Sequence, residues 1–178
     1  MRRLLVGVAL GLALAVGAVV VLLGLGGLGV VETYRIPSVS MEPTLELGDR
    51  VAAIRFVGPV EAERGDIVAY RIPRRAEVLC GNAGGVFIHR IVGLPGERVV
   101  SRRGRLFVDG ARLPEPYVET DRRGDLVGSW DVLRRGYFVL GDNRVESCDS
   151  RVWGSVPEKS LIGEVSATYW PPDRVSFR

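Results

Sequence analysis

The sequence predicts a mainly β protein: an antiparallel β-sheet or barrel-like domain with a small inserted lobe, preceded by one N-terminal transmembrane helix. Three observations carry this. Leu4 to Val31 forms an uncharged apolar run of about 28 residues, where roughly 20 suffice to cross the hydrocarbon core. From Tyr34 onward the chain breaks into short β-branched and aromatic runs separated by Gly, Pro and Asp turn signals. No segment after the apolar run keeps a helical period of useful length.

The apolar run follows Arg2-Arg3 and leads into Glu32-Thr33-Tyr34, not a small-residue cleavage site. A secretory h-region has only about 7–15 apolar residues, so a retained anchor is expected. The leading arginines place the N-terminus in the cytoplasm and the rest of the chain outside. Gly24, Gly26, Gly27 and Gly29 crowd the outer end, which suits helix packing in lipid or a hinge. The predicted boundaries are 1–33 for the stub and anchor and 34–178 for the β domain, with the lobe at about 97–136.

Strands are expected at Arg50–Arg55, Asp66–Arg71 and Val86–Val92, punctuated by Gly48-Asp49, Arg64-Gly65 and Gly93-Leu94-Pro95-Gly96. A hairpin follows, from Glu97–Ser101 through Arg103-Gly104 to Arg105–Val108. Pro114 to Arg135 is polar and weakly patterned, and reads as a small lobe or long loop. Tyr137–Leu140 returns to the core and Ile162–Trp170 closes the sheet, with a helical turn only at Pro157–Leu161.

The net charge is +3, and all but one of the basic residues are arginine. These arginines are scattered among acids instead of forming a basic face interleaved with aromatics, which argues against nucleic acid as a partner. Anionic lipid headgroups are the simpler attraction.

Ile36-Pro37-Ser38-Val39-Ser40-Met41-Glu42-Pro43-Thr44-Leu45 sets two serines between two prolines just beyond the apolar run. A serine hydroxyl needs a base to become a nucleophile. His89 is the only histidine, and the single lysine, Lys159, sits in a turn-like stretch with nothing apolar to lower its pKa. A serine beside a membrane with one imidazole to activate it suggests a protease working at a membrane surface.

Taken together these segments resemble a type I signal peptidase of the bacterial kind. Pro37–Leu45 is similar to the nucleophile box, and Gly48-Asp49-Arg50-Val51 and Arg64-Gly65-Asp66-Ile67-Val68 to the two that follow. His89-Arg90-Ile91-Val92-Gly93-Leu94-Pro95-Gly96-Glu97 is similar to the base box, and Gly141 through Gly154 to the last. The departure is His89, which stands where bacterial members normally have lysine; relatives of the endoplasmic reticulum enzyme use histidine there. Histidine starts near pKa 6.5 and lysine near 10.4, so the exchange is chemically coherent. It implies an acidic limb of activity near pH 6–7.

The resemblance implies Ser40 as nucleophile and His89 as general base and then acid. It implies an oxyanion hole from the Ser40 N–H and the Ser38 hydroxyl, and Ser147 bonded to the base. Asp149 would either hold the histidine tautomer or pair with Arg151. Asp142, Asn143 and Arg144 would build the loop under the site. Ile36, Met41, Leu45 and Ile88 match positions lining a pocket for small substrate residues, though the same residues read as ordinary core. The implied activity is removal of signal peptides from exported preproteins, near the export machinery and at the cell membrane. The alternatives are a specialised prepeptidase with few substrates and an inactive membrane-bound scaffold. No cofactor or metal is expected. Cys80 and Cys148, the only cysteines, suggest a disulfide on the outer side, with two buried thiols as the alternative.

Overall fold

The computed structural model describes residues 30–72, 74–80 and 85–178. The predicted anchor therefore lies almost entirely outside the described residues. Among these, no helix is long and apolar enough to cross a membrane.

Among the described residues two antiparallel sheets make up the fold. The strands of the larger are β1 (Val31–Arg35), β2 (Arg50–Arg55), β3 (Ile67–Arg71), β4 (Val86–Gly93), β9 (Gly136–Leu140), β10 (Val156–Pro157), β11 (Leu161–Trp170) and β12 (Ser176–Phe177). They run in the order β1-β2-β11-β3-β4-β9-β10, with β12 paired to β11. The smaller sheet, in the order β7-β6-β5-β8, is built from β5 (Arg98–Arg102), β6 (Arg105–Val108), β7 (Ala111–Arg112) and β8 (Gly128–Asp131).

Strand β3 explains the layering. Its run Ile67-Val68-Ala69-Tyr70 is buried at every position, as expected of a strand covered on both faces. Ile67 and Ala69 pack with Ile36, Met41, Leu45, Val51 and Val165. The alternate residues Val68 and Tyr70 pack on the other face with Ile91, Val139, Trp153 and Leu161. Strand β9 divides the same way. Tyr137 and Val139 join the second of these cores, whereas Phe138 and Leu140 turn to a third with Val92, Val99 and Leu106. That third core seats the small sheet on the large one.

The barrel-like expectation is corrected to open sheets, for β1 and β10 end the larger sheet without closing on each other. Strand β10 has two residues, one of them Pro157, which lacks an N–H to donate to a further strand. The folded part also reaches back past the predicted boundary, since β1 starts at Val31 and pairs it with Ile54. Two helices arise where none was expected: α1 (Arg74–Cys80) and the four-residue α2 (Ser150–Trp153), capped by the Asp149 side chain. Cys80 at the end of α1 and Cys148 just before α2 are joined as a disulfide, with Cα atoms 6.1 Å apart.

Candidate active site

Ser38 and Ser40 lie on the loop between β1 and β2. Burial of Ile36, Met41 and Leu45 in the core beneath pins that loop from below. A second loop, following β9, pins it from the side. The Asn143 N–H donates to the Ser40 carbonyl at 3.0 Å, and Asn143 Nδ2 donates to the Val39 carbonyl at 3.2 Å. Gly141 permits the approach: a Cβ there would meet the Ser40 carbonyl oxygen and Ser147 Oγ, each at 2.4 Å.

Asp142, with no exposed surface, holds the base of this second loop. It accepts from Arg90 Nε at 2.9 Å, Arg90 Nη2 at 2.7 Å and the Thr44 hydroxyl at 2.5 Å. Arg90 lies under the Tyr117 ring, 4.0 Å from its centroid. One buried carboxylate thus ties the serine loop, the strand of His89 and the loop after β9. Arg144 donates to the Gly141 carbonyl and pairs with buried Glu115, linking the same loop to the polar stretch between β7 and β8.

His89 sits at the middle of β4 and is 2% exposed. It shares a face with Phe87 and Ile91, and its ring stacks against Trp153 with 6.5 Å between centroids. Nδ1 is 2.8 Å from the Tyr70 hydroxyl and Nε2 is 3.4 Å from Ser147 Oγ. Burial lowers the imidazole pKa to about 4, although Asp149 and Asp142 pull it upward. The ring is therefore neutral at ordinary pH, able to accept a proton. No hydrogen bond joins His89 to Ser40; the partner of Ser40 Oγ is Ser38 Oγ at 3.1 Å. Such catalytic contacts are commonly long until substrate is bound.

Ser147 donates to Asp149 Oδ2 at 2.8 Å. Asp149 also accepts from the Gly141 N–H at 3.1 Å and from Arg151 Nε at 2.7 Å and Nη2 at 2.8 Å. It makes no hydrogen bond to His89. Of its two expected roles, the geometry holds the pairing with Arg151, and contact with the base passes through Ser147.

A cleft of about 380 Å³ runs past Ser38, Ser40 and His89, and Ile36, Met41 and Ile88 form part of its wall. Leu45 does not line it; the side chain is wholly buried beneath the loop. The disulfide borders the same cleft, whereas exposed Lys159 does not reach it. Among the described residues no group of His, Cys, Asp and Glu could hold a metal ion. Sequence reasoning missed Tyr70, Arg90 and Thr44 as site residues. Arg90 and Thr44 were legible as members of the base and nucleophile motifs; Tyr70 reaches the site only through strand pairing.

The profile of the family described as "Signal peptidase, peptidase S26" matches residues 9–170. A probable signal peptidase I-2 of Synechocystis is 39% identical over 149 residues, covering 83% of this chain and 67% of that protein. Signal peptidase I of Leptolyngbya laminosa is 36% identical, over 82% and 72% of the two chains. Signal peptidase IB of Staphylococcus aureus is 31% identical over 177 residues, covering 89% and 87%. A crystal structure of a signal peptidase I from Enterococcus faecalis matches with a TM-score of 0.48 at 31% identity, over 60% of this chain and 98% of that one.

Proposed function

The chain belongs to the signal peptidase family, peptidase S26, and from that premise we propose that it cleaves signal peptides from preproteins with Ser40 as nucleophile and His89 as base. It is a serine peptidase by family. The observation that carries the assignment of roles is the wall of the cleft, where both serines of the first loop meet the sole imidazole of the chain.

Ser40 Oγ attacks the scissile carbonyl carbon while its proton passes to His89 Nε2. The Ser40 N–H, which donates to no protein group among the described residues, and the Ser38 hydroxyl receive the developing oxyanion. The protonated ring then gives its proton to the leaving amine, and water repeats the sequence on the acyl-enzyme. Ile36, Met41 and Ile88 narrow the cleft, which favours small residues before the cut bond. Residues 4–29 anchor the enzyme in the bilayer where the preprotein's own apolar segment lies, raising the effective concentration of both. The catalytic domain faces the outer side of the cell membrane, beside the export machinery.

The test is cleavage of a preprotein carrying Ala-x-Ala by the purified full chain. Ser40→Ala abolishes processing while the domain stays folded. Ser38→Ala leaves a residual rate about 10²–10³-fold below wild type, because one oxyanion donor is lost. His89→Ala nearly eliminates turnover and Lys159→Ala changes little. Retention of more than about one per cent of activity by Ser40→Ala would overturn the nucleophile, and total loss in folded Lys159→Ala would overturn the base.

A further inference from the structure

The hydrogen bonds around His89 define where its proton sits. Ser147 has one hydroxyl proton and two claimants, a carboxylate oxygen at 2.8 Å and a ring nitrogen at 3.4 Å. The shorter, charge-assisted bond to Asp149 takes it. His89 Nε2 then faces a lone pair on Ser147 Oγ and must bring its own proton to make that contact. At the other end of the ring, the Tyr70 hydroxyl has no second acceptor among the described residues, so it keeps its proton and donates a hydrogen bond to His89 Nδ1. Two independent contacts thus give the same resting ring, protonated on Nε2 and bare on Nδ1.

That tautomer cannot accept the proton of Ser40. For Nε2 to act, the ring's single proton must sit on Nδ1, a solvent-mediated shift that leaves the net charge unchanged. After proton transfer both nitrogens carry hydrogen, and each needs an acceptor. Ser147 Oγ serves Nε2–H. Among the described residues only Tyr70 faces Nδ1. A carboxylate in that place could accept but never donate, whereas a neutral phenol does either by turning its O–H.

Resting on the reading of His89 as base, we propose that Tyr70 is the positioning residue of that histidine. Its hydroxyl donates to Nδ1 of the resting ring and accepts from Nδ1–H once Nε2 has taken the Ser40 proton. The placement follows from strand pairing: Val68 lies opposite His89, and Tyr70 is one same-face step along β3, within diagonal reach. Burial and the charge of Asp149 hold the phenol's pKa well above its ordinary value, keeping it a neutral partner throughout. The charged groups acting on the ring are Asp149, Asp142 and Arg151, all in the chain between β9 and the end of α2; the titratable group that β3 sets against the ring is the Tyr70 phenol.

The chain's single histidine makes the test direct, because nitrogen NMR of histidine-labelled full chain in detergent contains one ring. At neutral pH the wild-type ring shows its proton on Nε2, with Nδ1 displaced as a hydrogen-bond acceptor. In Tyr70→Phe the Nδ1 resonance moves to the position of an unbonded nitrogen. Charge-assisted bonds are about twice as strong as neutral ones, so kcat falls about tenfold with KM nearly unchanged. Tyr137→Phe, which removes a hydroxyl from the same core, leaves both the spectrum and kcat as in wild type. A wild-type ring protonated on Nδ1 at rest, or an unchanged Nδ1 resonance and kcat in Tyr70→Phe, would overturn the proposal. Full turnover in His89→Ala would instead sink the base assignment, so the two failures are distinguishable.

Discussion

His89 combines a reactive group with a dry environment, and the dryness sets its working range. On the motif alone, an acidic limb near pH 6–7 is expected. Burial between Phe87, Trp153 and Tyr70 disfavours the charged ring and lowers its pKa to about 4. The base must be neutral to act, so the acidic limb of kcat/KM is expected near pH 4, and a pH–rate profile checks it. The same shift acts on stability. The unfolded ring binds a proton near 6.5 and the folded ring only near 4, so the unfolded chain holds more protons between these values. Stability is full above about 6.5 and falls as pH drops toward 4, which Tm across that window should show. A limb that stays at 6–7 would mean that the ring is wetter than the structure implies. His89→Lys should be impaired, with any surviving activity displaced to higher pH, because an amine starts from about 10.4. At this scale the sequence was informative about groups adjacent in the chain, such as Ser38 with Ser40, and Ser147 with Asp149 and Arg151. Tyr70 was not legible, because 18 residues separate it from His89 along the chain and only β3–β4 register brings them together.

The loop from Gly141 to Asp149 is the element on which the site depends. Its backbone touches the Ser40 carbonyl through Asn143, its side chains reach Arg90 and His89, and its last residue caps α2. Gly141→Ala places a methyl group where Ser147 and the Ser40 carbonyl already are. The loops must then part, and a displacement of about 1 Å can cost about 10²-fold in rate. We expect a loss of that order in kcat with a smaller fall in Tm; kinetics and thermal melting on one preparation separate the two effects, and unchanged kcat would show the loops yielding elsewhere. Strands were the legible elements, because alternation and turn residues marked them: β2 and β6 lie where their runs end. Helix α1 was not, since seven residues are too few to establish a helical period. The stretch from Pro114 to Arg135 contains only β8. Its order comes from ion pairs, Glu115 with Arg123 and Arg144 and Glu42 with Arg122, which leave no periodic trace.

At the scale of the whole molecule, two open sheets meet through β4 and β9, and the serine loop hangs from the edge where the chain enters the fold. The sequence conveyed the β class, but not that the larger sheet stays open, since closure depends on how strands are ordered in space. The entry itself has a mechanical consequence. The Val30 carbonyl already accepts from the Arg55 N–H at 2.8 Å, and β1 is paired from its first residue. Ile36, just beyond β1, is fixed in turn by the Asp49 carbonyl and by Gly48. If residues 4–29 lie in the bilayer, no slack remains between the lipid surface and Ser40, and the fold works as a ruler that sets how far above the membrane a substrate is cut. Inserting about six Gly/Ser residues before Val30 should blur the cut position on a membrane-embedded preprotein, read by mass spectrometry of the mature N-termini, while hydrolysis of a short soluble peptide stays as it was. A single unchanged mature end would show that the substrate, and not the enzyme, carries the measure.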